Sequence, residues 1–157
     1  MNDFDKDTHI DQILHHTGTI SDKSALRMLV ETAAQTLNIK EEDILTRLQQ
    51  RKALDSAVIG GGVAIPNIQM SKVEKPLTVL MYMKMPVAFD HSPDDTPVDI
   101  ACLLISPKSD GPVHLRRLSR LARMLSDTEM QRKIRESSNA EELRMAVSGT
   151  DGWLVAA

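Results

Sequence analysis

Cysteine, net charge and long apolar runs are all scarce in this sequence. The one cysteine, Cys102, stands inside the apolar run 98–105, which indicates a reduced core thiol in a cytoplasmic protein, not a nucleophile. The 19 Lys and Arg against 22 Asp and Glu leave a formal charge of -3, which argues against a nucleic-acid-binding protein. No stretch approaches the roughly 18 apolar residues of a membrane span, and residues 1–7 lack the basic and apolar regions of a secretion signal.

A glycine-rich loop followed by a short apolar strand is the most distinctive local motif. The loop consists of Gly60, Gly61 and Gly62. Glycine allows close approach of other groups, so the motif predicts a loop against which something lies closely. Pro66 has no N–H for a sheet, so the strand ends there or lies at an edge, and Asn67 is predicted at a strand end, where functional side chains often lie. A plain turn before an edge strand is the alternative.

The periodicity of apolar residues predicts a single α/β domain over 1–157, with a core over about 8–147 and a tail over 148–157. Residues 1–20 read as a short strand or turn plus a one-turn helix. Longer helices are expected from Asp22 to Leu37 behind the N-cap Ser21, and from near Lys40. Strands are expected over 77–83 and 98–105, and a further helix from Pro112. Two short helices are predicted from capping boxes at Ser126–Glu129 and Ser138–Glu141.

The histidines fall into two groups. His9, His15 and His16 lie near the N-terminus without a further Cys or His cluster, so we predict a solvated histidine pair and no metal site. His114 falls in the first turn of the helix that begins near Pro112. Free amides and the helix dipole favour an anion there, which makes His114 a candidate for a phosphate site.

The helix that contains His114 has an apolar stripe and an arginine-rich remainder. The stripe, predicted to face the core, contains Leu115, Leu118, Leu121, Ala122 and Leu125. The arginines, predicted to form a solvated surface, are Arg116, Arg117, Arg120 and Arg123.

A homodimer is an open alternative to a monomer. Its interface would be formed by exposed apolar residues such as Met70, Val73 and Trp153.

Several segments, in order, resemble the enzyme IIA domain of the fructose and mannitol class, a phosphocarrier of the bacterial phosphoenolpyruvate-dependent phosphotransferase system. They are Arg51, the loop and strand 59–66, the segment 89–99 and the segment 112–115. The stand-alone length is most similar to the nitrogen-regulatory branch. The resemblance implies a single α/β domain with a mixed parallel and antiparallel sheet of about five strands, flanked by helices.

The resemblance also assigns roles to residues, and two positions depart from the family pattern. The family's phosphoryl acceptor is a histidine at the position of Asn67, and Arg51 and His114 would help to hold the phosphoryl group. Gly61 stands where the family loop usually carries asparagine. An asparagine amide nitrogen shares its lone pair with the carbonyl and is not a comparable nucleophile. Asn67 still donates and accepts hydrogen bonds, so the pocket can keep its shape without its reaction.

Three functions follow, and none of them requires a cofactor. The first is a non-phosphorylatable regulatory module that binds proteins, by resemblance the histidine phosphocarrier protein, a sensor kinase or a potassium transporter. The second is phosphoryl transfer through His114 or His91, or through a histidine at position 67 in the natural chain. The third is a small-anion sensor built from Arg51, His114 and the glycine amides at 60–62.

Overall fold

The computed structural model describes residues 9–50 and 56–148. Arg51 and Trp153 therefore lie outside the described residues, as do residues 1–8 and nearly all of the predicted tail. The strands are β1 Gln12–His16, β2 Val58–Gly60, β3 Val63–Ala64, β4 Asn67–Met70, β5 Leu77–Val87 and β6 Val98–Pro107. The helices are α1 Asp22–Leu37, α2 Glu41–Gln50, α3 Val113–Ser126, α4 Thr128–Arg135 and α5 Ala140–Val147, with a short 3-10 turn at Lys108–Asp110.

The strands form one mixed sheet in the order β1-β5-β6-β3-β2, and β4 also pairs with β6. β1 is parallel to β5, β5 is antiparallel to β6, and both β3 and β4 are parallel to β6. β2 pairs with β3 in the antiparallel sense. The predicted α/β domain with a mixed sheet is confirmed, and the described residues form six strands where about five were expected.

Pro66 separates β3 from β4 without ending the run of pairing. Val63 pairs with Ile100 and Asn67 pairs with Leu104, so both short strands lie along β6. The carbonyl oxygen of Pro66 accepts a hydrogen bond from the amide of Leu104 at 3.0 Å. The prediction that the strand ends at Pro66 is confirmed, because β3 ends at Ala64. The long neighbouring strand supports pairing again beyond the proline, and Asn67 lies at a strand end as the first residue of β4.

Helices cover both faces of the sheet. α1 and α2 pack on one face, against side chains such as Ala64, Val79 and Ala101. α3, α4 and α5 pack on the other, against side chains such as Ile65 and Leu104. Cys102 is buried on this second face, as predicted, and burial raises the pKa of its thiol to about 12. No helix in the described ranges is long and apolar enough to cross a bilayer.

The helix caps agree with the sequence in one case and are shifted in two. The Ser21 hydroxyl accepts from the amide of Ser24 at 3.1 Å, as predicted for α1. α4 and α5 are capped one residue later than expected, by Asp127 and Asn139. The capping boxes predicted at Ser126 and Ser138 were wrong, because each serine is followed by an acidic or amide side chain that caps equally well.

Several predicted exposures were also wrong. Leu115, placed in the core stripe, is 65% exposed, whereas Arg117, placed on the solvated surface, is 3% exposed. Met70 and Val73, offered as exposed dimer contacts, are both buried. Because these two side chains are buried, they do not form an exposed dimer interface. Trp153, the third residue named for that interface, lies outside the described residues.

The N-terminal histidines form part of the sheet. His15 and His16 lie in β1 and are half-buried, so the predicted solvated pair was wrong. His15 Nε2 lies 3.1 Å from the carbonyl oxygen of Ser137, and the His15 ring contacts that of Tyr82. Residues 9–20 contain this strand and no helical turn.

The three glycines all adopt positive φ values, of 99°, 65° and 83°. The amide of Gly61 donates to the Asp94 carboxylate at 2.8 Å, which helps to hold the pKa of Asp94 below its ordinary value. Arg135 of α4 donates to the Gly61 carbonyl at 2.8 Å and forms an ion pair with Asp99 at 2.7 Å. The close approach predicted at this loop is therefore made by the protein's own side chains.

We expect Gly62→Ala to destabilise the fold by about 3 kcal/mol. A Cβ at Gly62 would lie 2.9 Å from both Arg135 Nη2 and Asp99 Oδ1, and the residue would keep its left-handed conformation. Gly61→Ala is the matched control, because φ is also positive there, at 65°, but the heavy atom nearest to the added carbon, Gln131 Nε2, lies at an ordinary contact distance of 3.7 Å. Its cost should be about 1 kcal/mol, from backbone strain alone. Urea denaturation measures both, and equal losses would contradict the steric argument.

Candidate functional site

The strand pairing brings Asn67 and His114 into direct contact. Asn67 begins β4, beside β6, and the chain leaves β6 through the 3-10 turn into the first turn of α3, which carries His114. His114 Nε2 lies 3.1 Å from Asn67 Oδ1, and His114 Nδ1 lies 2.7 Å from the hydroxyl of Ser106 near the end of β6. Two residues far apart in the sequence therefore share one hydrogen-bonded site.

The partners of Asn67 fix the protons in this site. Asn67 Nδ2 lies 2.9 Å from the carbonyl oxygen of Ile65, which can only accept, so the NH2 group faces Ile65. The amide oxygen of Asn67 therefore faces His114 and also accepts. His114 must carry its proton on Nε2, and its Nδ1 lone pair accepts from the Ser106 hydroxyl.

Burial keeps the His114 imidazole neutral. The residue is 6% exposed, and this desolvation, together with the positive charge of Arg117, lowers its pKa below the ordinary histidine value. The Asp110 carboxylate opposes the shift. Asp110 itself pairs with the buried Arg117 at 2.8 Å, so much of that negative charge is already compensated.

The resulting arrangement is a closed chain of hydrogen bonds. Ser106 donates to His114, His114 donates to Asn67, and Asn67 donates to the carbonyl of Ile65. The His114 lone pair is directed at Ser106, and the Asn67 amide is not a nucleophile. The site as it stands holds two polar side chains in place and presents no free nucleophilic nitrogen.

The predicted glycine loop is not brought to this pair. Arg51 lies outside the described residues. The carbonyl of Gly62 accepts from the amide of Ile100, four residues before Leu104, so the glycine loop lies about 13 Å back along β6 from the level of Asn67. The placement of Gly60, Gly61 and Gly62 does not supply amides to the Asn67–His114 site.

His91, the second candidate phosphoryl acceptor, lies on the opposite face of the sheet from the Asn67–His114 pair. His91 lies on an exposed loop and lines, with Pro66 and Phe89, a cleft of about 290 Å³ on the α1 side of the sheet. Asn67 and His114 meet on the α3 side.

Within the described ranges, no group of three His, Cys, Asp or Glu side chains is placed to hold a metal ion.

Sequence reasoning missed three residues around the site. Ser106 is the polar residue that follows the apolar run 98–105, and Gln69 has the two-residue strand spacing from Asn67, so each had a weak signal. Gln69 Nε2 donates to the carbonyl of Gly111, just before α3, at 3.3 Å. Leu115 had no signal, because its spacing fits the core stripe although its side chain is exposed.

Comparisons with known proteins agree on the type of domain. The family model described as "Phosphoenolpyruvate-dependent sugar phosphotransferase system, EIIA 2" matches residues 8–149. A nitrogen regulatory protein of Bradyrhizobium diazoefficiens is 36% identical over 123 residues, which cover 78% of this chain and 80% of that protein.

Solved structures give the same result. The nitrogen regulatory protein IIA-Ntr of Neisseria meningitidis superimposes with a TM-score of 0.76 at 27% identity, over 90% of this chain and 94% of that chain. Enzyme IIA for mannitol from Escherichia coli, solved in complex with phosphorylated enzyme IIB, has a TM-score of 0.68 at 16% identity, over 88% and 94%. This second match shows the fold.

We expect His114 to be neutral at pH 7, with its proton on Nε2. The two-bond ¹H–¹⁵N correlation pattern of the imidazole should show this tautomer, and the signal should titrate with a midpoint below the ordinary value of about 6.5. Since the pKa is lower in the folded than in the unfolded chain, the free energy of unfolding should fall as the pH drops below about 6.5. The Nδ1–H tautomer, or a midpoint above 6.5, would contradict the assigned hydrogen bonds.

Proposed function

The chain belongs to the EIIA 2 family of the phosphoenolpyruvate-dependent sugar phosphotransferase system, and from this membership we propose that it is a nitrogen-regulatory protein that works by binding partners without being phosphorylated. In phosphorylated carriers, the switch is the gain of about -1.5 to -2 charge in a surface pocket. An amide at the acceptor position keeps the pocket uncharged. The protein would hold the unphosphorylated state permanently.

The observation that supports this proposal is the hydrogen bond between Asn67 and His114. The family resemblance places a nucleophilic imidazole nitrogen at position 67, whereas Asn67 presents an amide oxygen that accepts the Nε2 proton of His114. The remaining lone pair of His114 is directed at the buried hydroxyl of Ser106. Transfer to Nε2 would require the ring to leave Asn67 and to change tautomer, and transfer to Nδ1 would require it to leave Ser106, so the geometry favours binding over chemistry.

An exposed apolar side chain next to the site provides a contact for a partner. Leu115 follows His114 directly and is 65% exposed. Large apolar side chains at the centre of an interface contribute a large share of binding energy. Enzyme IIA for mannitol, which has the same fold, was solved in complex with a partner protein, phosphorylated enzyme IIB, and this supports the proposal. The proposed partners are the histidine phosphocarrier protein and a sensor kinase or potassium transporter, and the proposal includes a cytoplasmic location.

We expect the protein to remain unmodified when it is incubated with phosphoenolpyruvate, enzyme I and the histidine phosphocarrier protein. An Asn67→His variant should gain one phosphoryl group under the same conditions, because the imidazole restores a nucleophile in a pocket of unchanged shape. Intact mass at neutral to mildly alkaline pH, which preserves phosphohistidine, measures both proteins.

His114→Ala and His91→Ala variants locate any signal from the parent protein. If the parent protein gains a phosphoryl group and His114→Ala loses it, the binding proposal fails and His114 is the acceptor. Loss of the signal in His91→Ala assigns the same role to His91. If Asn67→His also stays unmodified, the proposal that the pocket and the carrier surface are preserved is wrong.

We further expect Leu115→Ser to weaken binding of the histidine phosphocarrier protein by about fivefold, or about 1 kcal/mol. Met145→Ser is the matched control, because Met145 is also exposed, at 68%, but lies on α5. Its effect should be below about twofold. NMR titration of the labelled protein measures both affinities. Equal losses in the two variants, or no binding by the parent protein, would contradict the proposed surface.

A further inference from the structure

A second cleft, of about 240 Å³, lies between α2 and the carboxyl ends of β4 and β6. One wall is a single face of α2, which carries Asp43, Thr46 and Arg47 at helical spacing. The turn after β4 supplies Lys72, and the residue after β6 supplies Lys108. Because β4 and β6 are parallel, their carboxyl ends lie side by side at the same end of the sheet. Ligands of α/β proteins commonly bind at the carboxyl ends of the strands.

The charges on this cleft do not balance. Arg47, Lys72 and Lys108 are positive, and Asp43 is the one carboxylate on the described lining. Asp43 pairs with Lys72 at 2.8 Å, and this hydrogen bond lowers the pKa of Asp43, which therefore remains ionised. That pair is neutral overall. Two positive charges, on Arg47 and Lys108, are left without an opposite charge on the lining.

One hydrogen bond anchors Arg47, and its other N–H donors have no partner among the described residues. Its Nε donates to the backbone carbonyl of Gln69 at 3.0 Å, which anchors the guanidinium group beside β4. Its two Nη groups have no hydrogen-bond partner within 9–50 and 56–148, and Lys108 has no ion pair there either. A guanidinium fixed through Nε offers its remaining N–H groups to the paired oxygens of a carboxylate or phosphate.

We propose that this cleft binds a small organic dianion, either a phosphate monoester or a dicarboxylate. Two cations without an opposite charge among the described lining residues match two negative charges, and the hydroxyl groups of Thr46 and Ser71 on the lining add further donors. The volume lies below the roughly 300 Å³ at which drug-sized pockets begin, which favours a ligand of only a few carbon atoms. The site is separate from the Asn67–His114 pair and does not depend on the proposed function.

The test is an NMR titration of the ¹⁵N-labelled protein at constant ionic strength. Glycerol 3-phosphate and succinate are the two dianions, acetate is the control with one charge, and glycerol is the neutral control. We expect saturable shifts of the amides at 70–72 and 108 with a dianion, and weaker effects with acetate and glycerol. Whichever dianion binds more tightly identifies the phosphate or the dicarboxylate class. No saturation by about 10 mM of either dianion would overturn the proposal.

Three variants test the location of the site. Arg47→Gln should weaken dianion binding about tenfold, because it removes charge-assisted hydrogen bonds. Lys108→Gln should weaken it about threefold and leaves the fold intact, since the side chain is exposed. Lys84→Gln removes the same charge from an exposed position on β5 and should have no effect. Equal losses in Lys84→Gln and Lys108→Gln would show a general charge attraction and overturn the proposal.

An Asn67→His variant separates this proposal from the regulatory one. Its dianion affinity should equal that of the parent protein, whatever the result of the phosphorylation experiment. Dianion shifts that cluster at Asn67 and His114 instead of at 70–72 and 108 would place the site elsewhere and contradict the proposal.

Discussion

The fold depends on β6, which forms hydrogen bonds along both of its edges. β5 occupies one edge, and β3 and β4 share the other on either side of Pro66. A strand that is buried on both faces must satisfy its amides and carbonyls within the sheet. That requirement places Asn67 beside Leu104 and directs the chain after β6 into α3. The contact between Asn67 and His114 is a consequence of this pairing.

The Asn67–His114 contact shows how one side chain sets the proton positions of its neighbours. The Ile65 carbonyl orients the Asn67 amide, the amide oxygen requires a proton on His114 Nε2, and the Nδ1 lone pair is then available to Ser106. The hydrogen bonds select the tautomer with its proton on Nε2, and burial of His114 disfavours the charged ring. Both effects therefore favour the same neutral form. These hydrogen bonds hold both side chains in place and leave no free nucleophilic nitrogen between them.

The sequence predicted the main elements well, because long periodic segments carry a strong signal. α1 was predicted from Asp22 to Leu37 and is found there, and the two buried strands were located to within a few residues. The failures were at positions decided by tertiary contacts. Arg117 has the spacing of a surface residue but pairs with Asp110, and Leu115 has core spacing but is left exposed by the elements that the structure describes. Ser106 joins the site through the strand order, which local patterns do not encode.

Under the proposed function, an asparagine in place of the phosphoryl acceptor has a consequence for regulation in the cell. A carrier that exchanges a phosphoryl group reports the supply of phosphoenolpyruvate, because its partners see a changing ratio of two forms. Under the proposed function, this protein has one form, so its influence on a shared partner is set by its abundance. Control would then pass from metabolism to synthesis and degradation of the protein.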